Sequence, residues 1–215
     1  GWTIAAPMSA FIDDGFSVQP RSPWNANNLV NKNGEDFVAW AWKGAELPAI
    51  NSNGSIPSVV SANPAAGFSI VSTKTNASGY LDFGHGLGVE PNVVIFKDRE
   101  NTDAWYVYHS ANTANPRDVS LILNTSAANY TAGGADKFVP STDVFHSGTA
   151  TWSYFPNHNF IAYCFAEVAG FSKFGSYSGN SSTNGPVIEC GFEPAFVIIK
   201  GTDGITNWAI YDNKR

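Results

Sequence analysis

Cysteine is nearly missing from this chain: Cys164 and Cys190 are the only two in 215 residues. Two thiols are too few for a disulfide scaffold and lack metal-site spacing, so the fold has to rest on an apolar core, with both read as buried free thiols. Charge is scarce too. Charged residues make up 14% of the chain, against roughly a quarter in an average domain. The 12 Lys and Arg against 18 Asp and Glu give a net charge of -6. Without clustered cations there is no footprint for phosphate, and nucleic acid is excluded as a partner. Long hydrophobic runs are absent as well: Val93-Val94-Ile95-Phe96 is among the longest, far short of the roughly 20 residues that cross a bilayer. No membrane insertion is expected. Gly1-Trp2-Thr3-Ile4 shows neither the basic stretch nor the apolar core of a signal peptide, which implies a processed start or a route without one. Sustained helical periodicity is the last absence. The nearest stretch, Pro116 to Leu123, fits a strand better through Val119, Leu121 and Leu123.

What is present is turn chemistry and aromatic residues. Glycine occurs 20 times, aromatics reach 14% and hydrophobic residues 43%, with Asn, Ser and Thr abundant. That composition describes a globular, turn-rich chain with a neutral polar surface.

The chain also repeats itself. Gly67-Phe68-Ser69 returns as Gly170-Phe171-Ser172, Gly88-Val89-Glu90-Pro91 as Gly191-Phe192-Glu193-Pro194, and Val94-Ile95-Phe96-Lys97 as Val197-Ile198-Ile199-Lys200. Trp105 and Tyr108 return as Trp208 and Tyr211, and every pair keeps the same interval of 103 (170 less 67). An earlier match, Phe37-Val38-Ala39-Trp40-Ala41-Trp42 with Phe160-Ile161-Ala162-Tyr163-Cys164-Phe165, has an interval of 123 (160 less 37). The extra residues fall between Lys43 and Gly67, where Pro48, Asn51, Asn53, Gly54, Pro57, Asn63 and Pro64 predict an exposed loop insertion at 44–66. Domain organisation follows: a first partial unit at 1–66, a complete central unit at 67–169 and a last partial unit at 170–215, with one continuous sandwich as the alternative.

Alternation makes the paired segments strands. Phe37–Trp42 and Phe160–Phe165 each carry one mostly small face and one large face, which predicts a central strand buried on both sides. Emptying the Trp40 site would then cost about 3–5 kcal/mol. Val93 to Lys97 and Trp105 to Tyr108, with their later copies, read as hairpins. The Gly-x-Glu-Pro motif reads as a turn into the strand, its glycine supplying permissive dihedrals and its proline a fixed φ, with Glu90 and Glu193 bonding locally. The two copies from Gly-Phe-Ser to Trp-x-x-Tyr are expected to share one strand arrangement. The predicted class is all-β, an antiparallel β-sandwich of jelly-roll or lectin-like type built from a duplicated unit.

Chemistry is thinly represented. His85 in Gly84-His85-Gly86-Leu87-Gly88 matches neither the dinucleotide nor the P-loop spacing and reads as a flexible turn. His85 and His109 align with Ile188 and Asp212 in the second copy, so the duplication preserves neither. His146 and His158 lack a third ligand at metal spacing. Asp98, Glu100 and Asp103 are weak candidates for a calcium site, since the ordered ligand series of a calcium loop is missing. No carboxylate pair stands out as an acid and base, and no serine sits in a nucleophile elbow. No catalytic residue, metal or cofactor is expected. Trp2, Trp24, Trp152 and Tyr154 lie in turn-like surroundings and are candidates for sugar-stacking platforms.

Phe37–Lys43, Ala62–Ser72, Gly84–Pro91, Phe160–Gly179 and Asn207–Arg215 together resemble a family of uncharacterised repeat domains in tail-fibre-like and other virion proteins of marine bacteriophages. The resemblance runs from about Phe11 to Arg215. It implies no site residue. It does imply a non-enzymatic module on the extracellular surface of the particle, with host-surface glycan or other virion proteins as partners and homo-oligomers as the expected state. A polysaccharide depolymerase and a cellular carbohydrate-binding module are the alternatives. Relatives continue into further strands beyond the second Trp-x-x-Tyr, which implies a fragment or a repeat cut at another phase.

Overall fold

The computed structural model describes residues 8–18, 36–37, 39–45, 47–112, 115–130, 138–147 and 156–213. They form two compact units, Gly1–Trp42 and Lys43–Arg215. Among the described residues there are fourteen strands and no α-helix: β1 (Met8–Ile12), β2 (Gly15–Val18), β3 (Ala49–Asn51), β4 (Ser58–Asn63), β5 (Phe68–Lys74), β6 (Asp82–Gly84), β7 (Val93–Asp98), β8 (Tyr106–His109), β9 (Leu121–Ile122), β10 (Phe138–Pro140), β11 (Val144–Ser147), β12 (Asn159–Phe165), β13 (Phe196–Ile199) and β14 (Ala209–Asp212). The fold is all-β and antiparallel, with the packing of a β-sandwich.

In the second unit a seven-stranded sheet runs β3-β4-β5-β12-β7-β8-β9. A three-stranded sheet, β10-β11-β6, faces it. Residues of period two line the space between them: Val94 and Phe96 from β7, Tyr108 from β8, Phe160, Ala162 and Cys164 from β12, against Phe83, Phe138 and Phe145 from the small sheet. The rings of Phe96, Tyr108 and Phe138 meet Phe145 at centroid separations of 6.1, 5.8 and 5.9 Å. Small side chains on β12 leave room for those rings, so its small face fronts the main core and its large face, Ile161, Tyr163 and Phe165, is only half-buried. Cys164 is buried, which pushes its thiol up to about 12, while Cys190 is half-buried.

β12 is central, as its alternation predicted. It pairs with β5 on one edge (Ala162 opposite Val71) and with β7 on the other (Ala162 opposite Phe96). A strand that arrives late in sequence thus joins two halves that do not pair with each other. Gly67 sits where β5 and β12 begin and end beside each other: its φ is +62°, and a Cβ there would lie 2.2 Å from the Ala166 carbonyl oxygen, a position only glycine fills.

Three expectations need correction. The stretch 44–66 is not a loop: β3 and β4 extend the sheet, with Ile56 and Val60 in the core. Frequent Pro, Asn and Gly hid two short strands whose alternation spans only a few residues. Phe37–Trp42 is no buried strand, since its described residues form no ladder and Trp40 is 51% exposed. Its likeness to β12 is not enough, because a central strand needs two edges like those of β5 and β7, which the described part of the first unit lacks. Trp40→Ala is therefore expected to lower unfolding free energy by under about 1 kcal/mol in dilute solution, measured by urea titration. Finally, Phe171–Tyr177, the copy of β5, is not a strand; among the described residues none pairs with it as β12 pairs with β5.

The two hairpins agree closely. Val93 pairs with His109, Val94 with Tyr108, Ile95 with Val107 and Phe96 with Tyr106; Phe196 pairs with Asp212, Val197 with Tyr211, Ile198 with Ile210 and Ile199 with Ala209. Every pair is shifted by the same 103 positions (196 less 93). Gly88 and Gly191 both take left-handed φ, +71° and +81°. Lys97 donates to the Asp98 carbonyl and Lys200 to the Gly201 carbonyl, so each lysine fastens its own hairpin loop.

Candidate functional site

The β13–β14 hairpin lies against the outer face of the large sheet. There Val93, Val107 and Leu121 form a second apolar cluster, with Ile95, Phe165, Phe174 and Trp208 packed on it. Trp208 anchors the hairpin by donating from Nε1 to the Ile122 carbonyl, 2.9 Å away. Backbone bonds from Asn129 to Thr202 and from Thr206 to Ser126, each 3.0 Å, fix the hairpin loop. Glu167 holds the intervening segment by accepting from the Phe174 amide at 2.9 Å and the Lys173 ammonium at 3.0 Å. Burial works against the Glu167 charge, yet these two donors keep its carboxyl below the ordinary range.

Between hairpin and sheet opens a cleft of about 600 Å³. Three separated stretches line it: His109, Asn112 and Leu121; the run Gly175-Ser176-Tyr177-Ser178-Gly179; and Ile198 to Gly204 with Trp208. Tyr177 is half-exposed. Asn112 is buried and exchanges amide bonds with Asn129 at 2.7 and 3.2 Å. His109 accepts the Ala111 amide on Nδ1 at 3.1 Å and is kept neutral by burial, which lowers its pKa. Burial likewise lowers the pKa of Lys200. Asp203, the sole carboxylate among the described lining residues, accepts the Thr202 hydroxyl at 3.3 Å. Among the described residues, the surface on offer is therefore the rings of Tyr177, Trp208 and His109, hydroxyls, glycine-rich backbone and one charged side chain of each sign.

The carboxylates singled out for calcium each turn to a different donor. Asp98, 2% exposed, accepts from the Glu100 amide at 2.8 Å, from Asn101 at 3.2 Å and from His158 Nδ1 at 2.7 Å. Burial alone would raise its pKa, but the Glu100 amide, His158 and Asn101 together lower it. Glu100 accepts from the Asn159 amide at 3.1 Å, and Asp103 from Tyr106 Oη at 3.1 Å. No group of three or more potential metal-binding side chains occurs among the described residues. The Asp98–His158 pair clamps the β7–β8 loop to the start of β12.

His85 is no flexible turn. It is buried, its Nδ1 accepts the Leu87 amide at 3.2 Å, and Nε2 lies 3.2 Å from the Ser141 carbonyl. An amide can only donate, so Nδ1 is bare and Nε2 carries the proton. Burial outweighs the Ser141 bond and the Asp143 charge, and the pKa is lowered.

Trp2, Trp24, Trp152 and Tyr154, the stacking candidates, lie outside the described residues. Sequence reasoning missed the cleft itself. Its one local signal was the Gly-Ser-Tyr-Ser-Gly run, an aromatic ring held among residues too small to bury it.

The chain belongs to the family described as domain of unknown function DUF7483, whose model matches residues 3–215. No curated protein and no solved structure matches it.

Proposed function

We propose that this DUF7483 chain is a non-enzymatic module of a phage tail fibre or virion exterior, and that the cleft between the β13–β14 hairpin and the large sheet takes a neutral glycan of the host surface. One observation carries the binding half of this reading. The described lining joins a half-exposed tyrosine to hydroxyls, amides and open backbone, with Asp203 as the sole carboxylate among those residues. Stacking on a pyranose face and hydrogen bonds to its hydroxyls need those groups. Glycoside cleavage ordinarily needs two facing carboxylates, which supports a binder over a depolymerase. Placement on a virion rests on the resemblance of strings such as Phe37–Lys43 and Gly84–Pro91 to phage repeat domains.

Binding of the purified chain to host envelopes and to immobilised neutral polysaccharide tests the reading. Retention that changes little between low and moderate salt is expected, because few charges are screened. Tyr177→Ala should weaken it by up to about tenfold, the worth of one aromatic contact of about 0.5–1.5 kcal/mol. Release of oligosaccharide would establish the depolymerase instead. No retention on any host glycan would leave the cleft without the proposed ligand.

A further inference from the structure

Of the rings on the cleft, His109 carries a polar atom that the fold leaves unused. Its Nδ1 accepts the Ala111 amide at 3.1 Å, so the ring proton stands on Nε2, and among the described residues nothing accepts that proton. Trp208 has already given its own N–H to the Ile122 carbonyl. Phe174 meets the imidazole in a T-shaped contact, with centroids 6.4 Å apart and planes at 77°, which fixes the orientation of the ring. The scaffold itself does not call for a histidine here. His109 pairs with Val93, and Asp212 fills the matching place opposite Phe196 in a hairpin of the same register.

This donor sits beside aliphatic carbon. Val107 and Leu121 stand opposite each other on β8 and β9, and His109, two residues along β8 from Val107, shares their face of the sheet. Leu121, Ala111 and, from the hairpin, Ile199 line the cleft with it. A hydroxyl pressed against such side chains gives up water without a partner in return, whereas a methyl gains by the same burial. An N–H donor beside aliphatic walls is the complement of a carbonyl that bears a methyl.

We propose that the cleft selects an acetylated neutral sugar, the acetyl oxygen accepting the Nε2 proton of His109 and the acetyl methyl resting on Leu121, Ala111 and Ile199. The proposal rests on the reading of the cleft as a glycan site and adds which glycan it takes. An acetyl group joined through nitrogen, as in a 2-acetamido hexose, and one joined through an ester oxygen offer the same carbonyl and methyl. Neither brings a charge into the cleft.

Retention of the chain on host envelopes is competed with soluble sugars in matched pairs, N-acetylglucosamine against glucose and N-acetylgalactosamine against galactose. A second portion of the envelopes is treated with mild alkali, which cleaves acetyl esters and spares acetamides. The expected result is an acetamido sugar that competes at about tenfold lower concentration than its parent, the combined worth of one hydrogen bond and one buried methyl, or a loss of retention of about tenfold after alkali. The first outcome assigns the acetyl group to nitrogen and the second to an ester. Equal competition within both pairs together with unchanged retention after alkali would overturn the proposal and leave the chain a glycan binder. Absence of retention on untreated envelopes would overturn the glycan reading and this proposal with it. His109→Gln and His109→Phe both lose the acceptor for the Ala111 amide, but only glutamine returns an N–H donor near the Nε2 position. His109→Gln should keep the preference for the acetylated form and His109→Phe should reduce it to about twofold or less. Circular dichroism checks that both are folded, and a folded His109→Phe with the preference intact would also overturn the proposal. Should that variant fail to fold, the sugar pairs and the alkali treatment decide alone.

Discussion

Phe96→Ala should destabilise the chain by about 3–5 kcal/mol, a sizeable part of what holds an ordinary domain together. Phe96 is fully buried on β7 and meets Tyr106, Phe138 and Phe145 at 5.7, 5.7 and 6.1 Å. Those partners come from β8 and from the facing sheet, so the truncation opens a cavity that no single element can move to fill. Urea unfolding followed by tryptophan fluorescence measures the loss as a fall in midpoint at unchanged slope. Ile199→Ala is the internal control. Ile199 holds the register position of Phe96 in the second hairpin but is only half-buried, and its truncation should cost well under half as much, about 1–1.5 kcal/mol. Equal losses at the two positions would mean that the second hairpin is as fully covered as the first, although Tyr108 is 2% exposed and its counterpart Tyr211 62%.

That contrast separates what a sequence carries locally from what assembly adds. Val94-Ile95-Phe96-Lys97 and its copy announce their strands by alternation, and the constant interval foretold that both hairpins would pair alike. Alternation also marked Phe160–Phe165 as central. It could not distinguish this segment from Phe37–Trp42, because centrality belongs to the edges a strand meets. The reading of 44–66 failed for the opposite reason. Pro57 stands just before β4, and the asparagines around it cap turns, so the short run Ser58–Asn63 was outweighed by its neighbours. Cleft residues were the least legible, since His109, Tyr177 and Trp208 come from stretches distant in sequence and line one cleft only because the β13–β14 hairpin lies against the sheet. The histidines show the same limit on a smaller scale. His85 and His109 each accept an amide two residues ahead, a local feature, but the burial that makes them neutral comes from elements distant in sequence.

His85→Leu should remove about 1–3 kcal/mol at pH 7 and flatten the stability profile below it. The buried Leu87 amide loses its acceptor, and leucine offers none. The pH effect follows from the sign of the shift. In the folded chain the proton affinity of His85 is lowered from 6.5, by burial above all, so the unfolded chain binds more protons near and below that value. Stability from this group is complete above pH 6.5 and declines as pH falls toward the lowered folded value. Protonating Nδ1 would also set a proton against the Leu87 amide, breaking the turn it closes. His109, buried with Nδ1 likewise engaged, contributes with the same sign. Asp98 acts in a separate window: its pKa is lowered from 3.8, so its contribution is present above that value and lost only in stronger acid. Urea titrations at about half-unit steps from about pH 7.5 to about pH 5, spanning the ordinary histidine range, should therefore show the wild-type midpoint falling through this interval. His85→Leu should start lower and fall less steeply, its residual slope coming from His109. Parallel curves for the two proteins would mean that His85 takes up its proton as readily in the fold as in the unfolded chain, and that burial does not hold its imidazole neutral.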